Sequence, residues 1–372
     1  MSKLQEQINA ARMQVHTDSY PMSIGELVNL YDDGELDIHP EFQRVYRWTA
    51  EQKSKLIESI LLGIPLPSIF VAQRKDGIWD VVDGLQRIST ILSFMGKLLD
   101  EKGDLAQPLK LQGTKYLPDL KDKVWEDRHN PDAEIDSEIR RVFKREKLDI
   151  KIIKRESEGD TKFELFQRLN TGGSKLSDQE VRNCMLLMLN ETAYMWLKEL
   201  SKDDNFISTI PLSDKQNEEC YTQELALRFF VQQDSNASLR KEHSDVAPYI
   251  DAEMTRLFNE GSTFDYDLQK KLFANTFRIL NIALGEDAFK KFNHDKERYE
   301  GAISLPVYEA LTVVAAEMVN QVKMSEEQMV DKIKKISKEL TDHQIFNDTL
   351  EKRVRPIDRM VAMVNLGKEL LR

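Results

Sequence analysis

Cysteine and histidine are scarce, with two Cys and six His in 372 residues. Cys184 and Cys220 stand alone, with no CxxC spacing and no paired histidine cluster. That pattern excludes a disulfide framework and a structural zinc site, and it fits a reducing compartment. No run reaches about 18 consecutive apolar residues, so no segment is expected to span a membrane. The stretch from Met1 to Gln14 has no apolar h-region, so a secretory signal is not expected and a cytoplasmic location is. Positive charge is also in deficit: 53 Lys and Arg face 64 Asp and Glu, a net −11. Such a chain does not coat nucleic acid by bulk attraction, although a local basic groove is compatible with it. What is present is a 41% hydrophobic content, enough to fill a core, so the chain reads as globular and long enough for two domains.

Glycine is unevenly spread. Eleven of the fifteen lie before residue 174. Because glycine marks turns and close backbone approaches, the first part should be turn-rich with strands and helices, and the rest mostly long helices. The fold class expected is α+β, with domains at residues 1–190 and 191–372 and the boundary near 189–205. Ser23-Ile-Gly-Glu26 and Thr49-Ala-Glu-Gln52 are capping-box patterns that open helices, the first ending near Asp33-Gly34 and the second closed by Gly63 and Pro65. Ile69–Gln73 and Ile78–Val82 flank a turn and read as a hairpin, followed by a helix from Leu85 to Lys97. Leu148–Ile153 alternates as a further strand, and helices are expected at Lys162–Leu169 and Ser177–Leu189. The C-terminal half carries amphipathic spacing throughout, as in Met329, Val330, Ile333, Ile336 and Leu340 behind the cap Ser325.

Three clusters carry chemistry. In D-V-V-D-G-L-Q-R-I-S-T-I-L (residues 80–92) a strand delivers the chain to Asp83, and Gly84 removes the Cβ that would block a ligand. The helix behind it offers unpaired N–H groups and its positive dipole end, with Gln86, Arg87, Ser89 and Thr90 close by. Two readings fit: an anion cradle, or an ordinary junction in which Asp83 caps the helix and Arg87 pairs with a surface acid. The second cluster, H-P-E-F-Q-R-V-Y-R-W (39–48), interleaves Gln43, Arg44 and Arg47 with aromatics, suiting either a nucleotide or a structural lead into a domain. The third, F-E-L-F-Q-R-L-N-T-G-G-S-K-L-S-D-Q-E-V-R-N (163–183), brings Arg168, Asn170 and Thr171 to Gly172-Gly173. Such a loop can close over a phosphate, or be merely flexible.

Taken in order, these clusters resemble the N-terminal domain of GmrSD-type restriction systems, in a stand-alone form without an HNH domain. The resemblance covers roughly residues 20–190 and includes Tyr116-Leu-Pro-Asp-Leu120. It implies a ParB/sulfiredoxin-like fold that binds and hydrolyses a nucleoside triphosphate with magnesium, in antiphage defence. The family's D-G-Q-Q-R hallmark stands here as Asp83-Gly84-Leu85-Gln86-Arg87. By that match Asp83, Gln86 and Arg87 are the candidate catalytic residues, with Asp83 also the candidate metal ligand. Gln43, Arg44, Gly84, Thr90, Arg168, Asn170, Thr171 and Gly172 are the candidate nucleotide-binding residues. Leu85 stands where the family usually has glutamine, a change expected to leave binding intact and to weaken hydrolysis. The partners implied are nucleoside triphosphate, DNA, a separately encoded nuclease subunit and further copies of the chain in a homo-oligomer.

Two rival readings stand beside this one. Pro131-Asp132 followed by Asp149-Ile150-Lys151 fits the loose pattern of metal-dependent PD-(D/E)xK nucleases. The chain could instead be a nucleotide-gated DNA clamp or adaptor that does not hydrolyse. His243, His294 and His343 are isolated and offer no nuclease centre of the HNH type. The basic stretches Lys332–Lys338 and Arg353–Arg359 read as solvated surface, the second also as a candidate phosphate contact.

Overall fold

The computed structural model describes residues 2–5, 17–38, 48–74, 76–100, 102–127, 129–154, 177–233, 242–243, 245–259, 261–321, 324–351 and 354–372. The chain divides into two compact units, Met1–Leu176 and Ser177–Arg372.

The first unit is built on a mixed sheet. Its strands are β1 (Thr17–Ser23), β2 (Leu36–Asp37), β3 (Ile69–Gln73), β4 (Trp79–Asp83) and β5 (Lys147–Ile153), in the order β1-β5-β3-β4-β2. The expected hairpin is β3–β4, antiparallel with a register irregularity at Phe70/Val71. β5 runs parallel to β3 and antiparallel to β1. Arg74 fastens the β2 edge: its guanidinium reaches Asp37 at 2.7 Å and Asp80 at 2.6 Å.

The longer helices among the described residues of this unit are α1 (Ile24–Asp32), α2 (Ala50–Leu61), α3 (Leu85–Phe94) and α4 (Ser137–Arg145); the helix expected at Lys162–Leu169 lies outside the described residues. The capping box at Thr49–Gln52 is formed in both directions. At α1 only half forms: Ser23 accepts from the Glu26 N–H, while the Glu26 carboxylate takes the Tyr20 hydroxyl at 2.8 Å. α3 is the core helix. Ile88, Ile91, Leu92 and Phe94 are at most 1% exposed, and even Ser89 and Thr90 are fully buried. The irregular stretch before α4 is anchored by Trp125, whose ring meets Phe94 at 5.4 Å and Phe143 at 5.5 Å.

The second unit is mostly helical: α5 (Asp178–Leu189), α6 (Glu191–Leu200), α7 (Asp204–Thr209), α8 (Asp214–Glu218), α9 (Tyr221–Gln233), α10 (Val246–Phe258), α11 (Tyr266–Leu284), α12 (Leu305–Gln321), α13 (Glu326–Asp342), α14 (Gln344–Glu351) and α15 (Pro356–Leu371). A small hairpin, β6 (Lys291–Asn293) and β7 (Arg298–Glu300), interrupts them; three-residue charged strands carry no periodic signal in the sequence. Capping boxes at Ser177–Glu180 and Ser325–Gln328 form as their spacing predicts. α12 departs from the amphipathic expectation, because Val307 to Ala316 are all at most 1% exposed. A helix buried on every side belongs in the middle of a bundle. α15 approaches it through Gly367, where a Cβ would lie 2.6 Å from the Ala310 carbonyl oxygen. Among the described residues no helix is long and apolar enough to cross a membrane.

Candidate functional site at the strand–glycine–helix junction

β4 carries the chain outward through buried Val81 and Val82 to Asp83, and the backbone then reverses at Gly84. Gly84 has φ +99°, and a Cβ there would sit 2.8 Å from Ile69 Cγ1 and 3.2 Å from Arg87 Nη2. Both the left-handed conformation and the lack of space require glycine. Gly84, not Asp83, is the cap position of α3, and no side chain caps that helix. The expectation that Asp83 caps the helix is therefore corrected. Its Oδ2 instead accepts from Arg87 Nη2 at 2.9 Å. With φ positive at the glycine, the carboxylate one residue earlier faces the first turn from the side and misses its N–H groups. Those groups keep the anion-accepting character of an open helix start.

Arg87 is a brace. Besides Asp83 it donates to the Pro67 carbonyl through Nη1 and to the Ser68 carbonyl through Nη2 at 3.2 Å. Its side chain is only 11% exposed. Burial pulls the guanidinium below its ordinary value, and the Asp83 charge pushes it back up. The surface-acid reading of Arg87 captures its ion pair but not the two carbonyls. Thr90 is fully buried, and its hydroxyl donates to the Gln86 carbonyl at 2.7 Å, so it fixes the helix from within.

The network continues beyond Arg87. The Ser68 hydroxyl donates to Asp149 Oδ2 at 2.5 Å, and the Ser19 hydroxyl to Asp149 Oδ1 at 3.1 Å. Lys151 Nζ donates to Ser19 at 2.8 Å and lies 3.4 Å from Asp149. The Ser68 bond first, then Ser19 and Lys151, hold the Asp149 carboxyl below the usual range against the opposing effect of burial. Asp83, Arg87, Asp149 and Lys151 thus belong to one polar chain crossing the sheet from α3 to β1. Asp132 does not join it: among the described residues no contact links its carboxylate to Asp149, and its carbonyl accepts from Lys123 at 2.6 Å. Pro67 escaped the sequence reading because it acts through its main-chain carbonyl, which leaves no trace in residue type, and Ser68 because its hydroxyl partner Asp149 lies 81 positions away.

Gln43, Arg44, Arg168, Asn170, Thr171 and Gly172 lie outside the described residues. The end of the third cluster is described, and it is a packing hub of the helical unit. Arg182 Nε bonds Asp251 at 2.7 Å, and Asn183 Nδ2 bonds Gln223 at 2.5 Å.

Among the described residues no group of three or more His, Cys, Asp or Glu could hold a metal ion. Asp83 is a single carboxylate already facing Arg87. Magnesium takes most of its ligands from phosphates and water in nucleotide sites. Among the described residues Asp83 alone therefore does not make a resident metal site.

No curated protein and no solved structure matches the chain. The sequence-family model described as "GmrSD restriction endonuclease, N-terminal domain" matches residues 24–187, from the start of α1 into α5. That span contains the strand–glycine–helix junction and its arginine brace, and over it the chain is similar to the GmrSD restriction endonuclease N-terminal domain family.

Proposed function

We propose that this protein is a component of a DNA restriction system of the antiviral-defence kind, whose N-terminal unit binds and hydrolyses a nucleoside triphosphate to control a separately encoded nuclease. The observation that supports nucleotide binding is the start of α3: a left-handed glycine, a helix end that no side chain caps, and Arg87 beside it. An incoming phosphate meets open N–H groups and a cation whose present partners, two neutral carbonyls and one partly exposed acid, are exchangeable. Arg87, together with Arg44, neutralises phosphate charge. Asp83 and Gln86 orient the attacking water. Magnesium carried with the triphosphate would shield phosphate charge, with Asp83 the carboxylate beside it.

A second reading is favoured by one residue. Leu85 packs against the core and offers no polar group at the position where the family has glutamine. A domain that binds nucleotide, changes shape and clamps DNA without turnover is consistent with that replacement.

Thermal shift and calorimetry with a panel of triphosphates and magnesium test the proposal. A ligand that binds only the folded state at 100 times its Kd adds about 2.7 kcal/mol of stability. Arg87→Ala and Asp83→Ala should weaken that effect. Unchanged affinity in both variants, or no response to any triphosphate, refutes the site. Phosphate release measured with and without DNA separates turnover from the clamp.

A further inference from the structure

Among the described residues no hydrogen bond or ion pair links the Tyr116–Leu120 stretch to Asp83 or Arg87, yet it is firmly fixed. Glu58, buried on α2, accepts from the Thr114 hydroxyl and from the N–H groups of Tyr116 at 2.9 Å and Leu117 at 3.1 Å. The Thr114 bond first, and the two N–H groups after it, hold the Glu58 carboxyl below its ordinary value although burial opposes them. The clamped loop then enters a 3-10 turn, Pro118–Leu120. A rigid loop of this kind should cover apolar surface. Here it leaves Tyr116 64% exposed, facing a groove of about 570 Å³.

The other walls are apolar and open as well. Leu62, just past the end of α2, is 44% exposed, and Ile139 and Val142 on α4 are 38% and 46% exposed. Ile139 and Val142 are three residues apart, so they form one stripe along the helix. Asp119, Asp136 and Glu138 stand exposed on the lining, and among the described residues none of the three has a basic partner. Lys123, the cation of the lining, is already committed to the carbonyls of Asp132 and Glu134. A contiguous apolar patch with a polar rim marks an interaction surface. A trough bordered by one helix stripe and the end of another has the shape that accepts a third helix.

We propose that this groove docks an amphipathic helix of a partner protein, its apolar stripe flanked by lysine or arginine. The apolar stripe covers Tyr116, Leu62, Ile139 and Val142, and the basic flanks meet the three unpaired acids. The clamp at Glu58 lowers the ordering cost of binding, because the Tyr116 loop is already fixed. This inference does not depend on nucleotide binding.

The test uses the full chain and a fluorescein-labelled leucine/lysine peptide of amphipathic helical pattern, followed by anisotropy. Controls are the same pattern with glutamate for lysine, and a scrambled leucine/lysine peptide of equal charge. The amphipathic basic peptide should bind roughly tenfold or more tighter than either control, and Val142→Arg or Tyr116→Ala should remove that advantage. Ile207→Arg, at an exposed apolar residue of the helical unit, should leave it intact. Equal binding of the scrambled peptide would mean bulk attraction to an acidic chain and overturn the proposal. So would binding indifferent to Val142→Arg and Tyr116→Ala. A dimer of the chain that Val142→Arg dissociates would assign the groove to a second copy, and would equally overturn it.

Discussion

Two arginines show how differently the two units use charge. Arg182 in the helical unit has a side chain 2% exposed and is held by Asp251 at 2.7 Å and Glu224 at 3.4 Å, acids that are themselves nearly buried. Arg87 in the sheet unit is 11% exposed, faces one acid that is 33% exposed, and otherwise leans on backbone carbonyls. Around Arg182 every charge depends on another buried charge, so the cluster is a packing device that fixes helix register. Around Arg87 the partners are neutral or reach solvent, so its charge is less deeply committed to the fold. A buried arginine is therefore not one kind of feature; what it is bound to decides whether it can work.

The sharpest way to break that contrast is Arg182→Ala. Removing the guanidinium takes from Asp251 its 2.7 Å ion-pair partner, while Glu224 keeps Arg228 at 2.8 Å, and denaturant unfolding should show a loss of about 3–5 kcal/mol. A loss below 1 kcal/mol would place Arg182 in the same class as a surface pair.

Glu309, fully buried on α12, gives the next largest effect. Burial raises its carboxyl to about 7, with Arg228 at 3.7 Å and Arg359 lowering it only in part. The folded state therefore holds this proton more tightly than the unfolded chain, whose value is near 4.5. Its stabilising contribution is complete below pH 4.5 and is lost as pH rises to about 7. The loss amounts to about 3 kcal/mol. Glu309→Gln should flatten stability across that window in urea titrations; an unchanged slope would show that Glu309 does not titrate there.

Gly84→Ala comes third. It forces a Cβ at φ +99° towards Ile69, and should cost about 1–3 kcal/mol together with loss of any nucleotide response. Full stability in thermal melts would mean that the junction relaxes. The smallest effect belongs to Asp83→Asn, which removes one partly exposed ion pair and should cost about 1 kcal/mol or less. A larger loss would show that Asp83 is as deeply committed as the acids around Arg182.

Much of the local structure was legible in the residues. Thr49–Gln52, Ser177–Glu180 and Ser325–Gln328 opened helices as their spacing predicts, because a capping box is satisfied within four residues. The β3–β4 hairpin and β5 followed from β-branched runs bounded by turn residues. The site's frame, Asp83-Gly84 between a strand and a helix, was legible for the same reason. The cap was misread because aspartate is a favoured cap residue by type; the left-handed backbone at Gly84 puts the cap one residue later, beside Ile69 of β3, where a Cβ would not fit. The buried α12 and the β6–β7 hairpin escaped too, since both depend on what surrounds them.

By itself the sequence determined where helices start, where the chain must turn through glycine, and which family residues 20–190 resemble. These are short-range matters of hydrogen-bond capping, backbone freedom and residue order. Only the tertiary structure decided what each polar group does. It gave Arg87 the carbonyls of Pro67 and Ser68, tied Ser68 to Asp149 from 81 positions away, and buried Glu309 among helices that raise its proton affinity. Hydrogen-bond partners and burial are set by segments distant along the chain, and no local pattern of residue types encodes them.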